Sequence, residues 1–196
     1  MRQSMMTEDL QRVVVIGSSC AGKTTFAKEL ARRLDSTHIE LDAIHWMPNW
    51  VAREKEEFRQ LVARAITAKH WVADGNYSAV RNVLWPQATA IIWLNYSFGV
   101  VAPRAIRRTL RRSIRNEELY AGNRESLRCA FLSRDSILWW IIKTFRRHRR
   151  EFQDLRSNRT FPNLQWIEFR TPTEATDFLQ SLEADAGPLS VPMRPV

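Results

Sequence analysis

The sequence is short of the features that would remove it from the class of ordinary globular proteins. It holds two cysteines, Cys20 and Cys129, too few for a disulfide framework, so a reducing compartment is the expectation. Six glycines and eight prolines are no enrichment, which argues against wholesale disorder. Long apolar runs are missing. The most apolar stretch, Ile137 to Ile142, is bounded by Arg134, Asp135 and Lys143 and falls well short of the roughly 20 residues a bilayer requires. The polar stretch Met1 to Leu10 and the short run Val13 to Ile16 do not make a signal segment, so a cytoplasmic location is expected. Acidic charge is also scarce. Asp and Glu number 21 against 30 Lys and Arg, a net charge of +9, which favours nucleotides, nucleic acid or a membrane surface as partners. A solvated basic face is the plainer alternative.

What is present fits one α/β domain. A chain of 196 residues, 44% hydrophobic, is long enough for a single sizeable core. Short β-branched runs predict strands over Arg12 to Ile16, Thr37 to Leu41, His70 to Ala73, Thr89 to Leu94 and Leu164 to Phe169. Between and after them, apolar residues at helical spacing predict helices over Lys23 to Leu34, Glu54 to Ala68, Val100 to Ile114, Ser136 to Leu155 and Pro172 to Leu182. Strands alternating with helices imply a parallel sheet with helices on both faces. The gap from Asn95 to Asn163 exceeds a simple crossover and must hold an excursion. Residues 1–10 read as a disordered lead-in, 11–184 as the domain, and 185–196, Pro-rich and without periodicity, as a flexible tail.

The firmest local signal is Gly17-Ser18-Ser19-Cys20-Ala21-Gly22-Lys23-Thr24, which fits G-x-x-x-x-G-K-[ST] at every fixed position. Such a loop wraps a phosphate with inward backbone N–H groups. The glycines permit close backbone approach, the lysine reaches the β and γ phosphates, and the hydroxyl of Thr24 is placed on magnesium. The helix that follows, with Thr25 in its first turn, points its positive end at the same phosphates. A reactive role for Cys20 at that helix start is less favoured than its supplying a backbone N–H.

In open α/β sheets the ligand lies beyond the carboxyl ends of the strands. Asp42 and Asp74 end the second and third predicted strands and are candidates for ordering magnesium-bound water or taking an acceptor's proton. A helix or turn cap is the alternative for each. Asn95 ends the fourth strand and carries no charge, which leaves the acidic role to Asp42 and Asp74. After Asp42, His45 is a candidate for an acceptor anion, and Trp46 or Trp50 for stacking on a base or sugar. Arg104, Arg108, Arg111, Arg112 and Arg115 recur at intervals that share a helix face. A stripe of like charge needs an anion, and a triphosphate in transfer or a nucleic acid supplies one. Arg104, Arg108 and Arg134 are read as functional, and Arg107, Arg147, Arg149 and Arg150 as solvated.

Together these features resemble the adenylate-kinase-related branch of P-loop kinases. More narrowly, residues 11–183 are similar to bacterial proteins labelled putative adenylate kinases or flagellar DNA topology modulation proteins. The resemblance rests on Gly17–Thr24, on Ile39-Glu40-Leu41-Asp42 followed by His45-Trp46, on Asp74-Gly75-Asn76-Tyr77, and on Gly122-Asn123-Arg124-Glu125-Ser126. It implies a P-loop three-layer sandwich with a five-stranded parallel sheet of order 2-3-1-4-5 and an Arg-rich helical lid over about 104–150. It implies ATP contacts from Arg104 and Arg108 and places Arg134 as an arginine after the lid. Asp74-Gly75 matches the start of the nucleotide-monophosphate motif. The residues that should grip AMP phosphate are replaced: His45 stands at one arginine position, Asn76, Tyr77 and Ser78 follow Asp74-Gly75, and the nearest arginine is Arg81. The implied activity is transfer of the γ-phosphoryl group of ATP with magnesium to a small-molecule or nucleotide acceptor other than AMP by default. Lys23, Asp42, Asp74, Arg108 and Arg134 are the expected catalytic groups, and Asp42, His45, Trp46, Gly75, Asn76 and Arg81 the acceptor side. The alternative is an ATP-dependent nucleic-acid-binding or regulatory NTPase that uses the same basic charge on DNA.

Overall fold

A computed structural model of the chain describes residues 7–115, 118–123 and 137–185. Its centre is β1 (Arg12–Gly17), in which Val13, Val14, Val15 and Ile16 are all fully buried. A strand without polar alternation needs apolar cover on both faces, as in a parallel sheet wrapped by helices. It pairs in parallel with β3 (Trp71–Asp74) on one side and β4 (Ala90–Leu94) on the other, with Val13 opposite Val72 and Ala90. β2 (Thr37–Glu40) and β5 (Gln165–Phe169) complete the sheet at its edges. The order is β2-β3-β1-β4-β5, so the predicted order is found among these five strands. Two further short strands, which were not predicted, lie outside this sheet.

Each face of the sheet has its own apolar layer. Val13, Val15 and Ile92 meet Ala27 and Leu30 of α1 (Lys23–Arg33) and Leu179 of α7 (Pro172–Asp185). Val14, Ile16 and Ile91 meet Phe58 and Val62 of α3 (Lys55–Ala65) and Phe152 of α6 (Ile137–Ser157). Glu54 caps α3 by accepting from the N–H groups of Glu56 and Glu57.

The structure departs from the sequence expectations in several places. Thr7–Leu10, expected within the lead-in, form a 3-10 turn whose Leu10 enters the core. β2 stops at Glu40, and the chain turns at once into the short helix α2 (Leu41–His45). Asp42 is therefore in the first turn of a helix rather than on a strand end. A hairpin follows, Trp46–Met47 pairing antiparallel with Val51–Ala52. Its turn holds Asn49 and Trp50 at φ 61 and 56, a conformation costing roughly 1–3 kcal/mol per non-glycine residue unless other contacts enforce it. The short helix α4 (Arg81–Leu84) follows β3, and the long excursion then rises through α5 (Phe98–Arg115) and returns through α6, with a turn at Tyr120–Gly122 between them. Arg124, Arg128, Arg134 and Cys129 lie outside the described residues, as do residues 1–6 and 186–196. Among the described residues no helix is long and apolar enough to cross a membrane.

Candidate functional site

The loop Gly17–Gly22 joins β1 to α1 at the carboxyl edge of the sheet. Gly17 takes φ 151, and a Cβ there would lie 2.6 Å from the Leu94 carbonyl oxygen, so no other residue fits without moving β4. Lys23 folds back over the loop, donating from Nζ to the carbonyls of Gly17 at 3.0 Å and Ser18 at 3.2 Å. Burial holds its pKa below the usual lysine value, while Asp42 and Asp74 oppose that shift and Arg108 adds to it. Two cations and two carboxylates thus share one neighbourhood at the mouth of the loop.

Asp74 ends β3 and is 3% exposed. Both its oxygens are engaged: Thr24 Oγ1 donates to Oδ2 at 2.6 Å, and His38 Nε2 meets Oδ1 at 2.8 Å. With its proton committed to Asp74, the Thr24 hydroxyl keeps oxygen lone pairs for a cation. A buried carboxylate and a hydroxyl, with no larger cluster of acidic or imidazole ligands among the described residues, suit a magnesium ion that takes its other ligands from water and substrate phosphates. Gly75, at φ 144, brings the chain so close to α2 that a Cβ would sit 2.9 Å from Leu41 Cβ.

Asp42 accepts from the Tyr77 hydroxyl at 2.5 Å. Burial, with Asp42 next, pushes the Tyr77 pKa well above the ordinary tyrosine value, so the phenol stays a donor. His45 is set among the rings of Tyr77, Trp46 and Phe58, at centroid distances of 4.5, 4.8 and 4.9 Å. Desolvation lowers its pKa, Asp42 opposing and Arg53 assisting. It is packed as a neutral ring beside Asp42. Trp46 stands edge-on to Trp50 at 5.6 Å, and Trp50 keeps 38% of its surface exposed.

The excursion reaches the site at both ends. From α5, Arg104 donates to the Ala21 carbonyl at 3.2 Å and lies over the Tyr96 ring. Arg108 is close enough to influence Lys23, and its buried Nε has no hydrogen-bond partner among the described residues. From the turn, Asn123 grips the hairpin: its Oδ1 accepts from Trp50 N–H at 2.8 Å and its Nδ2 donates to the Met47 carbonyl at 2.9 Å. Tyr120 donates to Glu40 at 2.5 Å. These contacts fold the excursion across α2 and the hairpin.

Beside the loop opens a cleft of about 440 Å³, lined by Asn76, Tyr77, Ser78, Ala79, Arg147, His148 and Glu151. Arg81, placed on the acceptor side by the sequence, is tied to Glu151 at 2.6 Å and covers the Trp85 ring; it braces the wall of the cleft. Arg147 and Arg149 are exposed as expected, yet Arg147 lines this cleft and Arg149 a small cavity next to Ser18. Asn95, 7% exposed, donates to Glu168, which Arg156 and Arg170 also hold. Sequence reading missed His38, Tyr120, His148 and Glu151. The hydrogen-bond partners of His38, Tyr120 and Glu151 lie far off along the chain, as do the residues 76–79 that line the cleft with His148, and no local spacing marks them.

No protein-family profile matches the chain, and no curated protein matches it. Among solved structures, shikimate kinase from Bacteroides thetaiotaomicron is similar at 15% identity, over 89% of this chain and 97% of that one, with a TM-score of 0.53. Shikimate kinase from Aquifex aeolicus (16% identity, 89% and 98% covered, TM-score 0.49) and a gluconokinase from Sinorhizobium meliloti (18%, 90% and 95%, TM-score 0.48) are also similar. At such identities the likeness is one of fold: this chain has the α/β fold seen in the Bacteroides thetaiotaomicron shikimate kinase.

Proposed function

We propose that the chain is a kinase of the adenylate-kinase-like type that transfers the γ-phosphoryl group of magnesium-bound ATP to a small molecule. The observation that carries this reading is the joining of Thr24, buried Asp74, Lys23 and Arg108 at one loop that borders a cleft of about 440 Å³, within the size range of small-molecule sites. In this reading the loop amides, Lys23, Arg104 and Arg108 bind the phosphates. Thr24 and Asp74 hold the magnesium ion, which when bound offsets phosphate charge. The acceptor lies between the Asn76–Ala79 segment and α6. Its hydroxyl oxygen attacks the γ-phosphorus, the bond to the β–γ bridging oxygen breaks, and ADP leaves. Asp42, fixed by the Tyr77 hydroxyl, takes the acceptor's proton. Arg134 is assigned to the transferring phosphoryl group by the family resemblance. Lys23→Ala removes the cation that follows the γ-phosphate and is expected to lower turnover by about a hundredfold or more.

The test is ADP release from ATP, screened against nucleosides, nucleotides, sugars and hydroxy acids, with Lys23→Ala as control. Acceptor-dependent release that Lys23→Ala abolishes supports the reading. Release that no acceptor stimulates but DNA does overturns it.

A further inference from the structure

Asn76 follows Asp74-Gly75 and lines the cleft, yet its side chain is engaged by the nucleotide loop. Its Oδ1 accepts from Gly17 N–H at 3.2 Å, and its Nδ2 donates to the Gly17 carbonyl at 2.6 Å. The amide presents a separate donor and acceptor to the two backbone groups of one residue, which an ionised carboxylate, an acceptor only, cannot do. The same Gly17 carbonyl also accepts from Lys23 Nζ. Lys23 rests on loop carbonyls here and has to leave them to meet a phosphate. When it does, Asn76 Nδ2 still satisfies the Gly17 carbonyl, so the loop gives up its lysine without stranding a half-buried acceptor.

Resting on the kinase reading above, we infer that Asn76 is a positioning residue for the phosphate donor. It braces Gly17 and frees Lys23, its amide oxygen and nitrogen being taken up by the Gly17 backbone rather than by the acceptor. The inference differs from the sequence reading, which put Asn76 among acceptor contacts.

Binding of ATP with magnesium, measured calorimetrically without acceptor, tests it. Asn76→Ala is expected to weaken binding about tenfold, roughly the effect of losing one well-placed hydrogen-bonded pair. Asn76→Asp is expected to weaken it further, although it is the closer match in shape. Its carboxylate faces the Gly17 carbonyl and adds negative charge beside the phosphates. In steady-state assays the KM for ATP rises in both variants while the KM for the acceptor stays within about twofold. Thermal unfolding of the unliganded variants, with Asn76→Ser as a milder third, separates loss of fold from loss of binding. A spacer role predicts the opposite order, with Asn76→Asp binding ATP like the wild type. That result, or a change confined to the acceptor KM, overturns the inference and leaves the kinase reading standing. A wild-type chain that binds no ATP overturns both.

Discussion

His45 shows how a residue chosen for its charge is governed by its packing. Its ring lies against Tyr77, Trp46 and Phe58, and its buried Nδ1 has no hydrogen-bond partner among the described residues. Folding lowers its pKa below the ordinary 6.5. Between the lowered value and 6.5 the unfolded chain binds the proton and the folded chain resists it, so stability falls as pH drops through that window and is unaffected well above it. His148, also desolvated and lowered, adds to the same slope. The replacement His45→Phe removes one of these two contributions. Its melting temperature, relative to wild type, should improve as pH is taken from about 7 to about 5. A constant offset between the two proteins at both pH values would mean that His45 is not the group concerned.

At the scale of elements, the contrast is between segments that specify themselves and segments held by distant partners. The strand β1 and helix α1 were legible because a β-branched run, a glycine loop and apolar residues at helical spacing each point to one local structure. The Arg stripe was legible as the face of α5 for the same reason, and it does bring Arg104 and Arg108 to the loop. The helix α2 and the hairpin after it were not. They are short, and the hairpin turn places Asn49 and Trp50 at positive φ where neither residue type announces it. What holds that turn is Asn123, 73 residues away from Trp50 and 76 from Met47. Asn123→Ala removes the hydrogen bonds to the Trp50 N–H and the Met47 carbonyl, a loss of about 1–3 kcal/mol. The predicted result is a lower melting temperature with altered tryptophan emission, since Trp46 and Trp50 lie in this hairpin. Unchanged emission and stability would show that the hairpin keeps its shape without the excursion.

At the scale of the whole molecule, the sheet order followed from the sequence because five apolar runs, wrapped by helices under the right-handed crossover rule and read through the family resemblance, leave few alternatives. The cleft did not follow. Its walls are the segment 76–79 and the helix residues 147–151, about seventy positions apart, and Arg147 looks in sequence like any solvated arginine. The net charge of +9 also takes on position: part of it faces the loop and cleft, where a triphosphate and its acceptor would meet. As a kinase, the chain sends the γ-phosphoryl group from this site onto a small molecule. The direct measurement follows terminally radiolabelled ATP, incubated with the chain and a mixture of metabolites, and asks where the label goes. Label is expected in a phosphorylated small molecule, formed by the wild type and lost in Lys23→Ala. Label recovered only as inorganic phosphate, whatever small molecules are supplied, would rule out the kinase reading.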